Sequence, residues 1–247
     1  MKFEFNKTKA IKCIKGSLNK ESNTVFVPSL GSDATKSIKS MRTTIIKGGY
    51  KDLIEVYCPE NPTSTDVKKL IKTIEAKVQA LDIDNLKDLE NIFHLIHLWG
   101  GKAGRGLYQI KRGGFKTNVK DITVYKKLVK AAISFEQIED LIEEIAEFER
   151  NTREISVAFI TKHTRFFSAL NKRYQCIPIY DSVMSENYML KFNKRFNKYK
   201  PILQPTSAKE PRGRKELAFY WESMIDLSQE CNLSLKDLER ILFVNAR

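Results

Sequence analysis

Residues 151–188 read NTREISVAFITKHTRFFSALNKRYQCIPIYDSVMSENY. An amphipathic, aromatic-rich helix carrying Lys162 leads through a short connection to Pro178-Ile179-Tyr180-Asp181-Ser182. Asp181 precedes a helical-looking run from Ser182 to Met189, which places it at an N-cap. There backbone donors and the helix dipole hold a carboxylate rigid and ionised. Taken singly, a lysine and a capping aspartate are ordinary residues. Their arrangement, Thr161-Lys162 on an aromatic helix and then Pro-Ile-Tyr-Asp-Ser, is what the rest of the chain has to hold in place.

The flanking sequence is patterned for helices. On the N-terminal side, Phe135, Ile138, Leu141, Ile142, Ile145 and Phe148 form one stripe, opposite Glu136, Glu139, Asp140, Glu143, Glu144 and Glu147. Ser134-Phe-Glu-Gln137 reads as a capping box opening that helix. Two earlier helices follow from Val67, Leu70, Ile71, Ile74, Val78 and Leu81, and from Leu86, Leu89, Ile92, Phe93, Ile96 and Leu98 running into Trp99-Gly100-Gly101. Two more close the chain, Glu216 to about Cys231 and Leu235 to Phe243, the last behind the cap Ser234-Leu-Lys-Asp237. Residues 1–60 are less regular: Leu53–Tyr57 and Thr24–Pro28 have strand character, and Ser32–Ser40 has helix-opening character. The expectation is a mostly α chain with an N-terminal extension or lobe over 1–62 and a helical domain over 63–247.

Composition narrows the partner. The net charge of +13 is uneven: residues 1–58 carry +6, 101–127 carry +7, 128–150 carry −5 and 151–200 carry +7. Cationic excess confined to segments makes a basic face, whose default partner is a polyanion. Within 100–115, GGKAGRGLYQIKRGGF, glycines let backbone amides approach phosphate while Lys102, Arg105, Lys111 and Arg112 supply charge. The spacing is not that of a P-loop. The acidic helix over 135–150 should face away from a nucleic acid. No apolar run is long enough to span a bilayer and the N-terminus has no apolar signal core, so a cytoplasmic protein is expected. Cys13, Cys58, Cys176 and Cys231 form no paired motif and read as free thiols. His94 and His97 lie three apart without a carboxylate or cysteine at ligand spacing, so they read as packed side chains and no metal is expected.

The layout around Lys162 and Asp181 resembles the helix-hairpin-helix DNA glycosylases, in particular a bacterial 8-oxoguanine DNA glycosylase-like group. The Trp99-Gly-Gly turn and the closing Ser-Leu-Lys-Asp-Leu-Glu239 helix add to the likeness. The resemblance implies a helical glycosylase fold acting as a monomer on double-stranded DNA with an oxidised purine flipped out of the stack. It implies Lys162 as nucleophile, Asp181 as assisting carboxylate, and no cofactor, since the amine itself carries the covalent route. An amine attacks only when neutral, so the site must lower its pKa, by burial or by cations such as Arg165, Lys172 and Arg173. Trp99, Tyr108, Phe166, Tyr180 and Trp221 are candidates for stacking on the base or filling its gap.

One feature departs from the family pattern. Its hairpin is glycine-rich, whereas Ile155-Ser-Val-Ala-Phe-Ile-Thr161 contains no glycine. Either Ser156 and Thr161 contribute hydroxyls to DNA alongside Arg165 and Arg173, or phosphate binding has moved to another loop. Two other functions fit the same sequence: a non-enzymatic DNA-binding protein that keeps the fold, and a glycosylase directed at hypermodified foreign DNA in defence.

Overall fold

Apolar side chains recurring every three or four residues make helices, and every regular element among the described residues is helical. The computed structural model describes residues 5–18, 34–100, 122–152, 155–181, 184 and 212–245. In order they form α1 (Lys7–Leu18), α2 (Ala34–Lys47), α3 (Lys51–Tyr57), α4 (Ser64–Gln79), α5 (Leu86–Gly100), α6 (Ile122–Ser134), α7 (Ile138–Thr152), α8 (Val157–Phe167), α9 (Arg212–Cys231) and α10 (Leu235–Asn245). A single 3-10 turn, Ser168–Leu170, continues α8.

Helix α8 sets the architecture. All of its residues except Ala158 are buried, and a helix with no solvent face has to lie inside a ring of neighbours. Here the ring is α4, α5, α6 and α7. Helix α5 is similarly enclosed from Ile92 to Gly100, and its C-terminal end meets α8. By contrast α7 is buried along one stripe only, the one its sequence pattern marks, and its carboxylates lie on the other side. Glu143 on that side is paired with Arg214 of α9, so part of the acidic face is neutralised from within the fold.

Three local readings of the sequence are corrected. Leu53–Tyr57 is helical, not a strand. Ile54 and Cys58, four apart, are the buried positions of α3 and its end, and one buried side in four is a helical repeat. Ser134 does not open α7. It is the last residue of α6, where its hydroxyl donates to the Lys130 carbonyl, and α7 begins at Ile138. The run Ser64-Thr-Asp66 has the composition of a helix start, but α4 is capped one residue earlier, by Thr63, whose hydroxyl and amide exchange bonds with Asp66. The strand expected over Thr24–Pro28 lies outside the described residues.

The N-terminal helices are part of the main core. Ala10 and Ile14 of α1 are fully buried and belong to the same apolar cluster as the rest of the chain, with α1 packed on α9 and α10. Helix α2 packs on α4 and α5. The core therefore runs without a break across the division expected at residue 62. Ile14→Ala should accordingly lower the unfolding free energy by about 2–4 kcal/mol. A loss below about 0.5 kcal/mol in urea denaturation would mean that α1 is not part of that cooperative core.

Candidate functional site

Residues Ile177–Asp181 belong to no helix and have no sheet partner among the described residues, yet all five are buried. Buried backbone amides and carbonyls must be hydrogen-bonded, and here side chains from three helices and the 3-10 turn do it. The Ile177 amide donates to Ser168 Oγ at 2.8 Å, the Ile179 amide to Glu239 Oε1 at 2.6 Å, and the Tyr180 amide to Thr161 Oγ1 at 3.1 Å. Trp221 Nε1 donates to the Pro178 carbonyl at 2.8 Å and the Tyr220 hydroxyl to that of Ile179 at 2.9 Å. The segment is thus laced to α8, α9 and α10. It ends on Asp181, whose Oδ1 accepts the Met184 amide at 3.0 Å, the contact expected of an N-cap three residues ahead. Oδ2 of Asp181 is buried and has no hydrogen-bond partner among the described residues.

Glu239 of α10 holds the two halves of the site together. One carboxylate oxygen takes the Ile179 amide, and the other accepts Arg165 Nε at 2.9 Å. Both side chains are almost wholly buried. Burial pushes the Glu239 carboxyl upward against the pull of the guanidinium, while the Glu239 charge raises Arg165 against its own desolvation.

Lys162 lies one turn before Arg165 on the same helix and is 1% exposed. Its Nζ donates to the Gly100 carbonyl at 3.4 Å and sits 4.6 Å from the centre of the Phe159 ring, over its face. Burial pushes its pKa down to about 8, against the field of the nearby Asp181 carboxylate, which favours the ammonium. The cations expected to depress it are not the cause. Arg165 is neutralised by Glu239, and Lys172 and Arg173 are exposed on the connection. At pH 7.5 a pKa near 8 leaves about a quarter of the amine as free base, against about one in a thousand for an ordinary lysine.

Two of the chain's three histidines, His97 and His163, lie near enough to this amine to feel its charge. His163 Nδ1 is hydrogen-bonded to the Tyr125 hydroxyl at 2.8 Å, its ring stacks on Phe93 at 5.0 Å and it lies 5.0 Å from His97. His94 packs against Tyr50. Burial pushes His94 and His163 down to about 3 and His97 well below its usual value, so all three are neutral at physiological pH. His94 and His97 are packed side chains, as their sequence context suggests.

The other nominated residues divide by location. Thr161 is fully buried and its hydroxyl bonds Tyr180 and Ala158, while Arg165 is spent on Glu239, so both are structural ties inside the fold and neither presents a surface to DNA. Arg173 is exposed, lies against Tyr174 and donates to the Glu136 carbonyl. Ser156 is the exposed N-cap of α8, and its hydroxyl makes no capping bond. Trp99, Phe166, Tyr180 and Trp221 are all buried. Trp99 meets Phe166 edge-on at 5.0 Å, and Trp221 is committed to Pro178. Trp99 Nε1 and the Tyr180 hydroxyl have no hydrogen-bond partner among the described residues. Lys102, Arg105, Tyr108, Lys111 and Arg112 lie outside the described residues.

Sequence reasoning did not single out His163, Phe159, Gly100 or Glu239 as parts of the site. Only Glu239 carried a usable signal, a carboxylate at a buried helical position behind Leu235 and Leu238. Compared with known protein families, curated proteins and solved structures, the chain finds no match. The site therefore rests on its own geometry.

Two stability measurements follow from that geometry. Glu239→Gln keeps an acceptor for Ile179 but leaves the buried Arg165 charge without its counter-charge, and should cost about 3–5 kcal/mol in chemical denaturation. Arg165→Met with Glu239→Leu should recover part of that loss, and no recovery would mean that the pair is not held by charge. Lys162 has the opposite sign. Its folded pKa of about 8 lies below the ordinary 10.5, so the unfolded chain binds more protons across that window and stability rises with pH through it. The buried amine costs about 3 kcal/mol below pH 8, a cost that vanishes above about pH 10.5. Lys162→Met should therefore be the more stable protein at pH 7, with the advantage shrinking by pH 10. No gain at pH 7 would count against a desolvated amine.

Proposed function

We propose that this chain is a DNA glycosylase with accompanying AP lyase activity, of helix-hairpin-helix type. It would excise an oxidised purine, 8-oxoguanine above all, from duplex DNA through a Schiff base on Lys162. The observation that carries this reading is a lysine amine 1% exposed, with a pKa pushed down to about 8, held near the buried Asp181 carboxylate. A buried amine costs stability, and a fold retains such a group where its free base does work. The α7–α8 turn, with Lys162 on its second helix, is the counterpart of the hairpin. Ser156 at the exposed start of α8 is the hydroxyl in that turn positioned for a phosphate.

In this reading the Nζ lone pair attacks C1′ of the flipped nucleotide, and the C1′–N9 bond breaks with its electron pair leaving on the base. The base takes up the proton that the alkylated nitrogen releases. The C1′–O4′ bond then opens, O4′ is protonated from solvent, and an iminium joins C1′ to Lys162. Loss of a C2′ proton expels the 3′-phosphate and cuts the strand. Asp181, its Oδ2 without a partner among the described residues, stabilises the positive charge that develops at C1′ as the base departs. The Trp99 indole N–H and the Tyr180 hydroxyl are the polar edges offered to the base.

A second reading, a DNA-binding protein that keeps the scaffold without turnover, is favoured by the closure of Lys162 and of the buried aromatic candidates. Borohydride trapping separates the two. Wild-type protein on duplex DNA carrying 8-oxoguanine should give a covalent complex. Lys162→Gln should abolish it, and Asp181→Asn should slow base release by about 100-fold or more. No trapped complex on that duplex or on one carrying an abasic site would sink the lysine mechanism. Retained DNA binding would then leave the second reading.

A further inference from the structure

The Lys162 amine is aimed by two groups that take no part in the chemistry. Gly100 is the last residue of α5, and its carbonyl accepts from Nζ at 3.4 Å. Phe159 stands three residues before Lys162 on α8, and its ring face lies 4.6 Å from Nζ. The two are also fitted to each other. A Cβ placed on Gly100 would overlap the tip of the Phe159 ring, with Cε1 only 2.9 Å away. The ring has no room to retreat, being 1% exposed and packed against His97 at 4.5 Å. Gly100 thus serves a close approach between helices, not a turn. Any side chain there would push the ring, and with it the surface on which the amine rests.

We propose that Gly100 and Phe159 are positioning residues that fix the Lys162 amine: the missing side chain of one admits the ring of the other, and the ring face together with the Gly100 carbonyl sets where Nζ points. This rests on the reading of Lys162 as the nucleophile. A nucleophile on a long flexible side chain has four rotatable bonds, and its rate depends on holding the attacking atom near its target. A carbonyl and an aromatic face are suited to that task. Both favour the ammonium modestly through their negative ends, and neither competes as a nucleophile or forms the ion pair that would lock the proton on.

The test is a double-mutant cycle with Gly100→Ala, Phe159→Leu and both together, read in two ways. The first is the rate of borohydride trapping on duplex DNA carrying an abasic site. The second needs no DNA: the pH midpoint of the Lys162 Cε signal in lysine-labelled protein, assigned by its loss in Lys162→Met. Gly100→Ala should slow trapping by about tenfold or more in the Phe159 background and by less than about twofold in the Phe159→Leu background, because leucine vacates the space the new methyl needs. The midpoint should move by about half a pH unit or more in Phe159→Leu and in Gly100→Ala. It should return toward the Phe159→Leu value in the double variant.

An equal effect of Gly100→Ala in the two backgrounds overturns the proposal, as does an unchanged midpoint in both single variants. Should Gly100→Ala fail to fold, the midpoint in Phe159→Leu decides alone, and no shift overturns the proposal. If wild-type protein traps no DNA, the enzymatic reading fails, and the titration still reports on the positioning of the amine.

Discussion

A single buried carboxylate sets the geometry of the candidate site. Glu239 accepts the guanidinium of Arg165 on the helix that carries Lys162, and with its other oxygen the amide of Ile179, two residues before Asp181. A buried charge is tolerated only when paired and hydrogen-bonded, so each contact requires the other. Without Arg165 the carboxylate would be too costly to bury, and without Ile179 one of its lone pairs would go unused. The spacing between amine and aspartate is therefore set by a third residue, on a helix that carries neither of them.

The same economy governs the segment that Glu239 holds. A buried non-helical stretch with no strand beside it among the described residues cannot pair its backbone as a sheet would, and that backbone would be prohibitive to bury bare. Ser168, Glu239, Thr161, Trp221 and Tyr220 replace the missing strand, one side chain per backbone group. Each of these polar contacts is thus made inside the fold. Thr161 and Trp221 look like ligand-contacting residues in the sequence and turn out to be fastenings. A residue's chemistry names what it can bond to, and only the fold decides whether the partner is inside or outside.

That distinction marks how far the sequence could be read. The helical stripes of α4, α5, α7 and α9 were legible because each depends on nothing beyond its own spacing. The Lys162 and Asp181 pair was legible as a local arrangement, and Asp181 Oδ1 does accept the Met184 amide, while the rest of the helical run expected over Ser182–Met189 lies outside the described residues. Other contributors depend on partners far away in the chain. Gly100 meets Lys162 across 62 residues, Tyr125 meets His163 across 38 and Arg165 meets Glu239 across 74. No periodicity records such contacts. Of the two causes expected for the low proton affinity of Lys162, burial and neighbouring cations, burial is the one at work, because the nearest cation on its helix is neutralised by Glu239 of the chain's last described helix. Two local misreadings have local causes. Leu53–Tyr57 is rich in strand-forming residues, yet only its four-residue spacing meets the core. Ser134 resembles a cap, but the α6 stripe of Tyr125, Leu128, Val129 and Ala132 carries the helix through it.

The lacing of Ile177–Asp181 also has a temporal side. During synthesis the chain emerges from its N-terminus, so α4 to α8 can gather around Lys162 while α9 and α10 are still unmade. The fastenings from Ser168 and Thr161 are then in place, but those from Tyr220, Trp221 and Glu239 are not. The segment that ends on Asp181 thus has its full set of fastenings only once the chain has been made as far as Glu239. Glu239 reaches back 60 residues to the Ile179 amide, so the frame of the site is drawn from chain that is made well after the segment it holds.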